Sequence, residues 1–297
     1  MTGDVLVTGG AGFIGGHLVE RLVADGRRVR VLDRREPVTG PSEWVEADVR
    51  DAAAVEAAAK GASLILHLAS VVGVDALLAD PVEAIDVAVN GTLRVLDAAG
   101  RADVPVIHLS TSEVLGINPA VPWAEGADRV LGSSLADRWS YGTAKATAEH
   151  LVLAWSRSRG IPATIVRPFN VYGPRQEPRF VVASMVRAAL RGEPIVVDGD
   201  GTQTRCFTYI DDVVDGLARV AAAPGRVPIV HLGSEDERSV LELAKLVRDA
   251  VGGDAPVVFR PTGDRWGGLE PDWTTWVPTV STIGDLWGHK WSPPPAK

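Results

Sequence analysis

DVLVTGGAGFIG, residues 4–15, joins a short strand rich in valine to three glycines spaced three residues apart. Glycine permits a tight turn and lets a pyrophosphate approach the backbone, and the first turn of the following helix carries partial positive charge. Gly9, Gly12 and Gly15 therefore predict a strand–turn–helix unit that binds a dinucleotide. The triplet alone is a weak signal, because a glycine-rich turn also serves ordinary packing of a helix on a strand.

Asp33 stands at the end of the second predicted strand, RVRVLDR. A carboxylate at this point accepts hydrogen bonds from the ribose hydroxyls of NAD and repels the 2′-phosphate of NADP. It strengthens the dinucleotide interpretation and favours NAD. Two alternatives stay open: Asp33 is an ordinary turn residue, or Arg34 and Arg35 accommodate NADP.

Tyr141 and Lys145 are four residues apart in YGTAK, so both side chains project from one face of a predicted helix. A lysine ammonium near a phenol favours the phenolate, and the positive charge of a bound nicotinamide adds to this effect. The phenol, whose ordinary pKa is ~10, then becomes a usable base at neutral pH. The alternative is an exposed helical pair with no chemical role.

Residues 110–113, STSE, follow the predicted strand VPVIHL, so they belong at the carboxyl edge of a parallel sheet, where ligands bind in such folds. We expect the Thr111 hydroxyl to hydrogen-bond the substrate oxygen that Tyr141 deprotonates, and Glu113 to take part in a second proton transfer. The alternative is a turn that caps the next element, with Glu113 simply exposed to solvent.

Composition narrows the possible partners. The net charge is -8 with 23% charged residues and no basic run, so neither nucleic acid nor an anionic membrane surface is an expected partner. No apolar run approaches the ~20 residues that span a bilayer. The lone Cys206 cannot form an internal disulfide, and no secretory signal precedes Val5, so we expect a cytoplasmic protein. No metal site is predicted.

Short apolar strands alternate with helical segments through the first half of the chain. This alternation predicts crossover connections and a parallel sheet covered on both faces, which is an α/β fold of the Rossmann type with a doubly wound sheet. We assign residues 1–168 to an NAD-binding domain that carries Tyr141 and Lys145. Residues 169–297 are assigned mostly to a small C-terminal substrate lobe, with some segments returning to the main sheet.

The combined motifs resemble the extended short-chain dehydrogenase/reductases that remodel nucleotide sugars. TGGAGFIG, HLAS, STSEV, YGTAK, RPFNVYGPRQ and GDGTQTRCFTYIDDVV occur in that family's order and cover about the first 220 residues. The resemblance implies that Asp48 and Val49 contact adenine and that Asn90 helps to hold the cofactor. It also implies that Asn170 and Arg205 contact the sugar diphosphate, a role that suits the fork of an arginine.

The resulting candidate site divides into three sets. The catalytic set is Tyr141, Lys145, Thr111 and Glu113. The cofactor set is Gly9, Gly12, Phe13, Ile14, Gly15, Asp33, Arg34, Asp48, Val49, Leu68, Ala69, Asn90, Ser110, Tyr141, Lys145 and Pro168. The substrate set is Ser112, Asn170 and Arg205.

Within the family, Glu113 separates the branches. Its setting resembles UDP-glucuronate decarboxylases and GDP-mannose dehydratases, whereas 4-epimerases usually carry a small or hydroxyl residue there. The resemblance therefore implies NAD-dependent oxidation of a nucleotide-linked hexose at C4, followed by loss of water or carbon dioxide, in a homodimer built from the helix near Pro81 and the helix with Tyr141. The alternatives are a 4-epimerase, a dehydrogenase that releases its ketone and, remotely, a non-catalytic dinucleotide sensor.

Four features depart from the family pattern. Leu115 stands where the family has a tyrosine, the loop after Gln176 is shortened, and Trp276 stands where decarboxylases carry an arginine. The sequence also shows no counterpart of the family's last helix. These changes are expected around the sugar pocket, so they bear on the substrate and the outcome more than on the first oxidation.

Overall fold

A computed structural model gives the structure of residues 3–261 and 275–276. Its strands are β1 Asp4–Thr8, β2 Val29–Asp33, β3 Glu43–Glu46, β4 Ala62–His67, β5 Val106–Leu109, β6 Ala163–Pro168, β7 Val171–Tyr172, β8 Ile195–Asp198, β9 Thr204–Cys206, β10 Thr208–Tyr209, β11 Ile229–Leu232, β12 Glu237–Ser239, β13 Val257–Arg260 and β14 Thr275–Trp276. Strands β11, β6, β5, β4, β1, β2 and β3 lie side by side, in that order, in one parallel sheet. The chain runs outward from β1 to β3 and then crosses to β4 on the other side of β1. This order confirms the predicted doubly wound α/β fold.

The α-helices cover the sheet and build the C-terminal lobe. They are α1 Phe13–Ala24, α2 Ala52–Ala59, α3 Val74–Ala79, α4 Pro81–Asp86, α5 Thr92–Ala102, α6 Ser140–Arg159, α7 Val181–Arg191, α8 Ile210–Ala222 and α9 Val240–Val251. A π-helical turn, Val87–Gly91, joins α4 to α5, and short 3₁₀ helices cover Ser112–Leu115 and Asp137–Trp139. No helix in the described part of the chain is both long and apolar enough to span a membrane.

Strand β1 shows why both faces of the sheet are covered. Successive side chains of a strand point to opposite faces. Val5 and Val7 pack with apolar residues of α1 and α8, whereas Leu6 packs with those of α2, α5 and α6. All three side chains are fully buried, so the strand has no solvent-facing side.

The C-terminal lobe has its own apolar cluster, in which α7 and α9 pack around β8 through residues such as Met185, Ile195 and Leu243. Two segments after residue 168 nevertheless join the main body. β11 pairs with β6, and the apolar side of α8 packs against α1. The carboxyl ends of β1, β4, β5 and β6 meet at one edge of the sheet, so the segments that follow these strands converge there.

Candidate active site

The glycine turn lies at the carboxyl end of β1. Gly9 has φ +75°, and a Cβ atom there would lie 2.6 Å from the backbone nitrogen of Ala69, so only glycine fits. A Cβ atom on Gly15 would lie 2.2 Å from the carbonyl oxygen of Gly9. Gly12 caps α1 without a side-chain hydrogen bond, which leaves the first N–H groups of α1, those of Phe13 and Ile14, for an anion.

Asp33 fixes the same turn from β2. Its Oδ2 accepts a hydrogen bond from the Ala11 backbone N–H at 3.0 Å, and its Oδ1 accepts one from the Arg35 N–H at 3.0 Å. The Arg34 guanidinium turns to Glu83, at 3.0 Å, and to Asp48, at 3.6 Å. The Asp33 carboxylate is thus held where the ribose hydroxyls of NAD are expected. The Arg34 guanidinium, which could otherwise bind the 2′-phosphate of NADP, is paired with Glu83 and Asp48.

A charged network borders the predicted adenine region. Arg50 binds both carboxylate oxygens of Asp48, at 2.9 and 2.7 Å, and this pairing lowers the pKa of Asp48 to about 2. Arg50 also donates to Asp86, which in turn accepts a hydrogen bond from Asn90. Val49 is buried against Gly91. The network therefore ties Asp48 to Asn90, two residues that the sequence assigned separately to the cofactor.

Tyr141 and Lys145 lie in the first turns of α6, and both are almost fully buried. Lys145 Nζ donates to the carbonyl oxygen of Leu109, the last residue of β5, at 2.6 Å. Burial lowers the pKa of Lys145 to about 8, against the opposing effect of the Glu149 carboxylate. The ammonium is therefore held at the sheet edge, one helical turn from the phenol.

Burial raises the pKa of Tyr141 above its ordinary value, and the negative charge of Glu113 acts in the same direction. The hydroxyls of Ser70 and Thr111 oppose this by favouring the phenolate. Thr111 also accepts a hydrogen bond from the Glu113 backbone N–H at 3.2 Å, which caps the 3₁₀ helix that follows β5. Thr111, Glu113 and Tyr141, three of the predicted catalytic residues, thus share one site.

Glu113 has a partner that sequence reasoning missed. Arg138 Nη1 donates to Glu113 Oε2 at 2.7 Å, and the Arg138 side chain is only 8% exposed. Arg138 precedes Tyr141 by three residues and lies in a 3₁₀ turn directly before α6. The sequence alone did not predict this turn, so it gave no reason to place Arg138 near Glu113.

The sequence also gave no indication of a buried ion pair, Glu149 with Arg167, that lies next to Ser110. The Glu149 carboxylate accepts hydrogen bonds from Ser110 Oγ at 2.6 Å and from Arg167 Nε and Nη2 at 2.8 and 2.7 Å. The side chains of Glu149 and Arg167 are each 4% exposed. Ser110, which the sequence assigned to the cofactor, therefore uses its hydroxyl to join β5 to α6.

Two of the predicted substrate residues, Asn170 and Arg205, lie just after β6 and within β9. Asn170 has φ +35°, and its side-chain amide donates to the carbonyl oxygen of Cys206 at 3.1 Å. Arg205 Nη1 donates to the carbonyl oxygen of Thr204 at 2.6 Å. Burial and the charge of Arg138 lower the pKa of Arg205 to about 10, against the opposing charge of Glu113.

The remaining assigned residues line the same edge. Leu68 and Ala69 follow β4, Ser112 is buried in the 3₁₀ helix after β5, and Pro168 ends β6. The structure describes the surroundings of two positions that depart from the family pattern, Leu115 and the backbone of Trp276. Leu115 is fully buried in a cluster with Trp123 and Phe169, and the backbone of Trp276 pairs with that of Arg205. The side chain of Trp276 lies outside the described part of the structure.

His67 is the last residue of β4 and is buried, in a setting that disfavours the charged imidazole. The Thr92 hydroxyl donates to the Ala88 carbonyl oxygen, so it accepts from His67 Nε2, and His67 Nδ1 accepts from Thr8. Burial lowers the pKa of His67 to about 3. Across residues 3–261 and 275–276, no three metal-ligating side chains form a cluster that could hold an ion.

The glycine turn, the fixed Asp33 and the buried Tyr/Lys pair meet at one sheet edge, and the model of the NAD dependent epimerase/dehydratase family matches residues 5–233. The chain belongs to this family. It is 37% identical over 269 residues to UDP-N-acetyl-alpha-D-glucosaminuronate decarboxylase of Bacillus cytotoxicus, covering 86% of this chain and 83% of that protein. It is 37% identical over 299 residues to UDP-glucuronic acid decarboxylase 2 of Arabidopsis thaliana, covering 93% of this chain but only 65% of that protein.

A solved member of the family has the same architecture. UDP-glucose 4-epimerase of Thermotoga maritima, in complex with UDP-glucose, superimposes with a TM-score of 0.85 at 28% identity, covering 95% of this chain and 91% of that chain. The predictions of an extended short-chain dehydrogenase/reductase and of NAD as its cofactor are confirmed at the level of the family.

The residues of this epimerase/dehydratase family member fit NAD. The glycine turn forms a cradle that Cβ atoms at Gly9 and Gly15 would fill, and the first N–H groups of α1 suit a pyrophosphate. Asp33 suits the adjacent ribose. When bound, NAD supplies the hydride acceptor for the oxidation of a substrate alcohol.

We expect Gly15→Ala to lower NAD affinity at least tenfold, because its methyl group must displace the Gly9 carbonyl that shapes the cradle. Gly16→Ala is the matched control, since its Cβ atom would lie 3.8 Å from the nearest oxygen, in ordinary contact. Calorimetric titration of both variants with NAD measures the difference. Equal NAD affinities would show that the glycine spacing serves packing alone.

Proposed function

We propose that the enzyme oxidises C4 of a nucleotide-linked hexuronic acid and then releases the C5 carboxyl group as carbon dioxide. The observation that carries this proposal is Glu113, a carboxylate whose charge acts on the buried Tyr141. An oxidation and reduction at C4 alone needs one base, so a second proton-transfer group beside that base indicates a second reaction. The similarity to two proteins named as decarboxylases supports the same choice.

In the first stage Tyr141 removes the proton of the C4 hydroxyl while hydride leaves C4. Thr111 lies beside Tyr141 and can hydrogen-bond the same oxygen. We assign the positive charge that favours the phenolate to Lys145, which lies one helical turn along α6 and is fixed on the Leu109 carbonyl oxygen. Because burial raises the pKa of Tyr141, positive charge close to the phenol would favour loss of its proton, and NAD, when bound, would add the charge of its oxidised nicotinamide.

The second stage follows from the chemistry of the ketone. A C4 ketone makes the C5 carboxylate a β-keto acid, so the C5–C6 bond breaks, carbon dioxide leaves, and the electron pair moves into an enolate on the C4 oxygen. Tyr141, now protonated, and Thr111 can stabilise that oxygen by hydrogen bonds. We assign to Glu113 the delivery of a proton to C5 through water, and return of hydride to C4 completes a pentose product.

The test is Glu113→Gln. If Glu113 acts after oxidation, we expect this variant to reduce bound NAD on addition of UDP-glucuronate but to release pentose product at least 100-fold more slowly, a typical loss for a general acid–base group. Near-ultraviolet absorbance of bound NADH should rise and stay high. Glu193→Gln, at an exposed position, is the control with unchanged turnover.

The second candidate is a nucleotide-sugar 4-epimerase, favoured by the structural similarity to UDP-glucose 4-epimerase. In that reaction the keto sugar turns and receives hydride on its other face, so no carboxylate is needed after oxidation. A product of unchanged mass, formed by Glu113→Gln at a near-normal rate, would establish the epimerase. Steady release of NADH would indicate a simple dehydrogenase, and binding without turnover would indicate a dinucleotide sensor.

We also propose a homodimer formed through α4 and α6. Val82 and Ile85 of α4 are 73% and 41% exposed and lie three residues apart, so they share one face. A twofold axis beside these helices would bury that face in a four-helix interface. Wild-type protein should sediment as a dimer and Val82→Glu as a monomer, whereas Leu190→Glu, equally exposed elsewhere, should stay dimeric. A wild-type monomer at every concentration would contradict the proposal.

A cytoplasmic location is proposed as well. Cys206 is buried as a free thiol, which fits a reducing compartment. Fractionation of the native host would test this.

A further inference from the structure

His108 lies on an inner strand of the sheet, on the face that α6 covers. It stands on β5 between His67 of β4 and Ile165 of β6, and side chains at matching positions of adjacent parallel strands share a face. Ile165 belongs to the apolar cluster that the sheet forms with α2, α5 and α6. His108 is fully buried on this face, on the same side of the sheet as the helix that carries Lys145.

The polar atoms of the His108 ring are unmatched in the described part of the chain. Neither ring nitrogen has a hydrogen-bond partner there. The ring of His67, 5.1 Å away between centroids, is already engaged by Thr8 and Thr92. A neutral imidazole has one donor and one acceptor, and each costs free energy when it is buried without a partner. An apolar side chain would avoid this cost, so a histidine at this position indicates a further polar partner.

Lys145 reaches the same segment of β5 from α6. Its Nζ donates to the carbonyl oxygen of Leu109, the residue after His108, at 2.6 Å. Burial, and then the charge of Lys145, lower the pKa of both His67 and His108. This setting disfavours the charged imidazoles, and a neutral ring keeps a nitrogen that can accept a hydrogen bond.

The ammonium of Lys145 has N–H groups to spare for such an acceptor. It carries three donors, and one backbone carbonyl takes one of them. Glu149 of α6 acts on the ammonium by its charge, but both oxygens of this carboxylate already bind Arg167 of β6. In the described part of the chain, no direct hydrogen bond joins Lys145 to His108, so a link between them needs a bridging water molecule. Two polar groups are enough to hold a buried water.

We propose that His108 is a positioning residue for Lys145, which it holds through one buried water molecule. The inference rests on the proposed function, in which the Lys145 ammonium favours the phenolate of Tyr141. Burial disfavours the ammonium and lowers the pKa of Lys145 to about 8. A water that accepts a hydrogen bond from the ammonium, and is itself held by His108, acts in the opposite direction. Without His108, Lys145 should therefore lose its proton at a lower pH.

The test measures the charge of Lys145 directly in the NAD-loaded enzyme. The chain has five lysines, so carbon-13 labelling of lysine Cε gives few resonances, and Lys145→Met identifies the one to follow. Its titration midpoint should fall by about one pH unit in His108→Leu, the size expected for loss of one charged hydrogen bond. His108→Gln should keep the wild-type midpoint, because its amide can still bind the water. His150→Leu, at an exposed position of α6, is the matched control.

Turnover provides a second measurement. If Lys145 must be charged for catalysis, the fall in turnover of UDP-glucuronate at alkaline pH should move to lower pH in His108→Leu by the same amount. It should stay in place in His108→Gln and His150→Leu. A role in packing alone would leave the pH profile of all three variants unchanged.

An unchanged Lys145 midpoint in His108→Leu, or equal shifts in His108→Leu and His108→Gln, would overturn the inference. If His108→Leu does not fold, a high-resolution crystal structure of the wild type decides. It should show a water within hydrogen-bond distance of both a His108 ring nitrogen and Lys145 Nζ, and no water there would equally overturn the inference. The lysine titration needs no substrate, so a shifted midpoint in an enzyme that oxidises no nucleotide sugar would contradict the proposed function alone.

Discussion

Tyr141→Phe should bind NAD as tightly as the wild type and lose at least about 100-fold in turnover of UDP-glucuronate, within the range of 10²–10⁴ that general acid–base groups contribute. Tyr141 is only 8% exposed and packs near Leu77 and Ala84, contacts that phenylalanine retains. The variant loses only the hydroxyl, which in the proposed mechanism takes the C4 proton and later stabilises the enolate oxygen.

Tyr209→Phe is the matched control, because its ring contacts that of Tyr172, 5.5 Å away between centroids, and the hydroxyl has no proposed chemical role. Steady-state rates and NAD titrations of both variants check the expectation. Turnover of Tyr141→Phe within tenfold of the wild type, a barrier change of only ~1.4 kcal/mol, would place the base on another residue.

Glu149→Ala should lower the free energy of unfolding by about 3–5 kcal/mol, because it leaves the Arg167 guanidinium buried without its carboxylate. Ser110 loses its acceptor at the same time. The control is Glu56→Ala, which removes the partner of Arg101 in a pair whose side chains are 40% and 63% exposed. Exposed pairs contribute less than about 1 kcal/mol.

Urea denaturation of the two variants measures the difference directly. A loss below about 1 kcal/mol for Glu149→Ala would mean that water enters and solvates Arg167. The same change should lower the pKa of Lys145 further, since the Glu149 carboxylate opposes the effect of burial on that ammonium. Glu149 therefore links the stability of the sheet edge to the charge of a proposed catalytic residue.

The parts of the fold and the candidate site that depend on local spacing were predictable from the sequence. The glycine turn needs three glycines at fixed intervals, and Tyr141 and Lys145 share a helix face because they are four residues apart. Asp33 follows directly from its place at the end of a strand. The doubly wound sheet and the membership of an NAD-dependent family, both predicted, are confirmed.

The parts that depend on contacts through space were not predictable. Arg167 of β6 meets Glu149 of α6 only because these elements pack together, and nothing in their sequence separation indicates a pair. Arg138 likewise pairs with Glu113 across 25 residues of sequence, and nothing in that separation indicates the pair. The pKa of Tyr141 also depends on burial, whereas the sequence indicated only the effects of the lysine and of a bound nicotinamide. The roles assigned to the site residues stay predictions.

The packing of α8 on α1 has a consequence for how the protein can be altered. α8 comes from the second half of the chain, yet Val213, Val214 and Leu217 complete the apolar cluster that also contains Leu18 and Leu22 of the nucleotide-binding half. The two halves therefore share one core and should melt together in a single cooperative transition. Exchange of the whole second half between relatives would disrupt that core. Substrate specificity should therefore be easier to change in the segments that follow β5 and β6 than by exchange of the two halves.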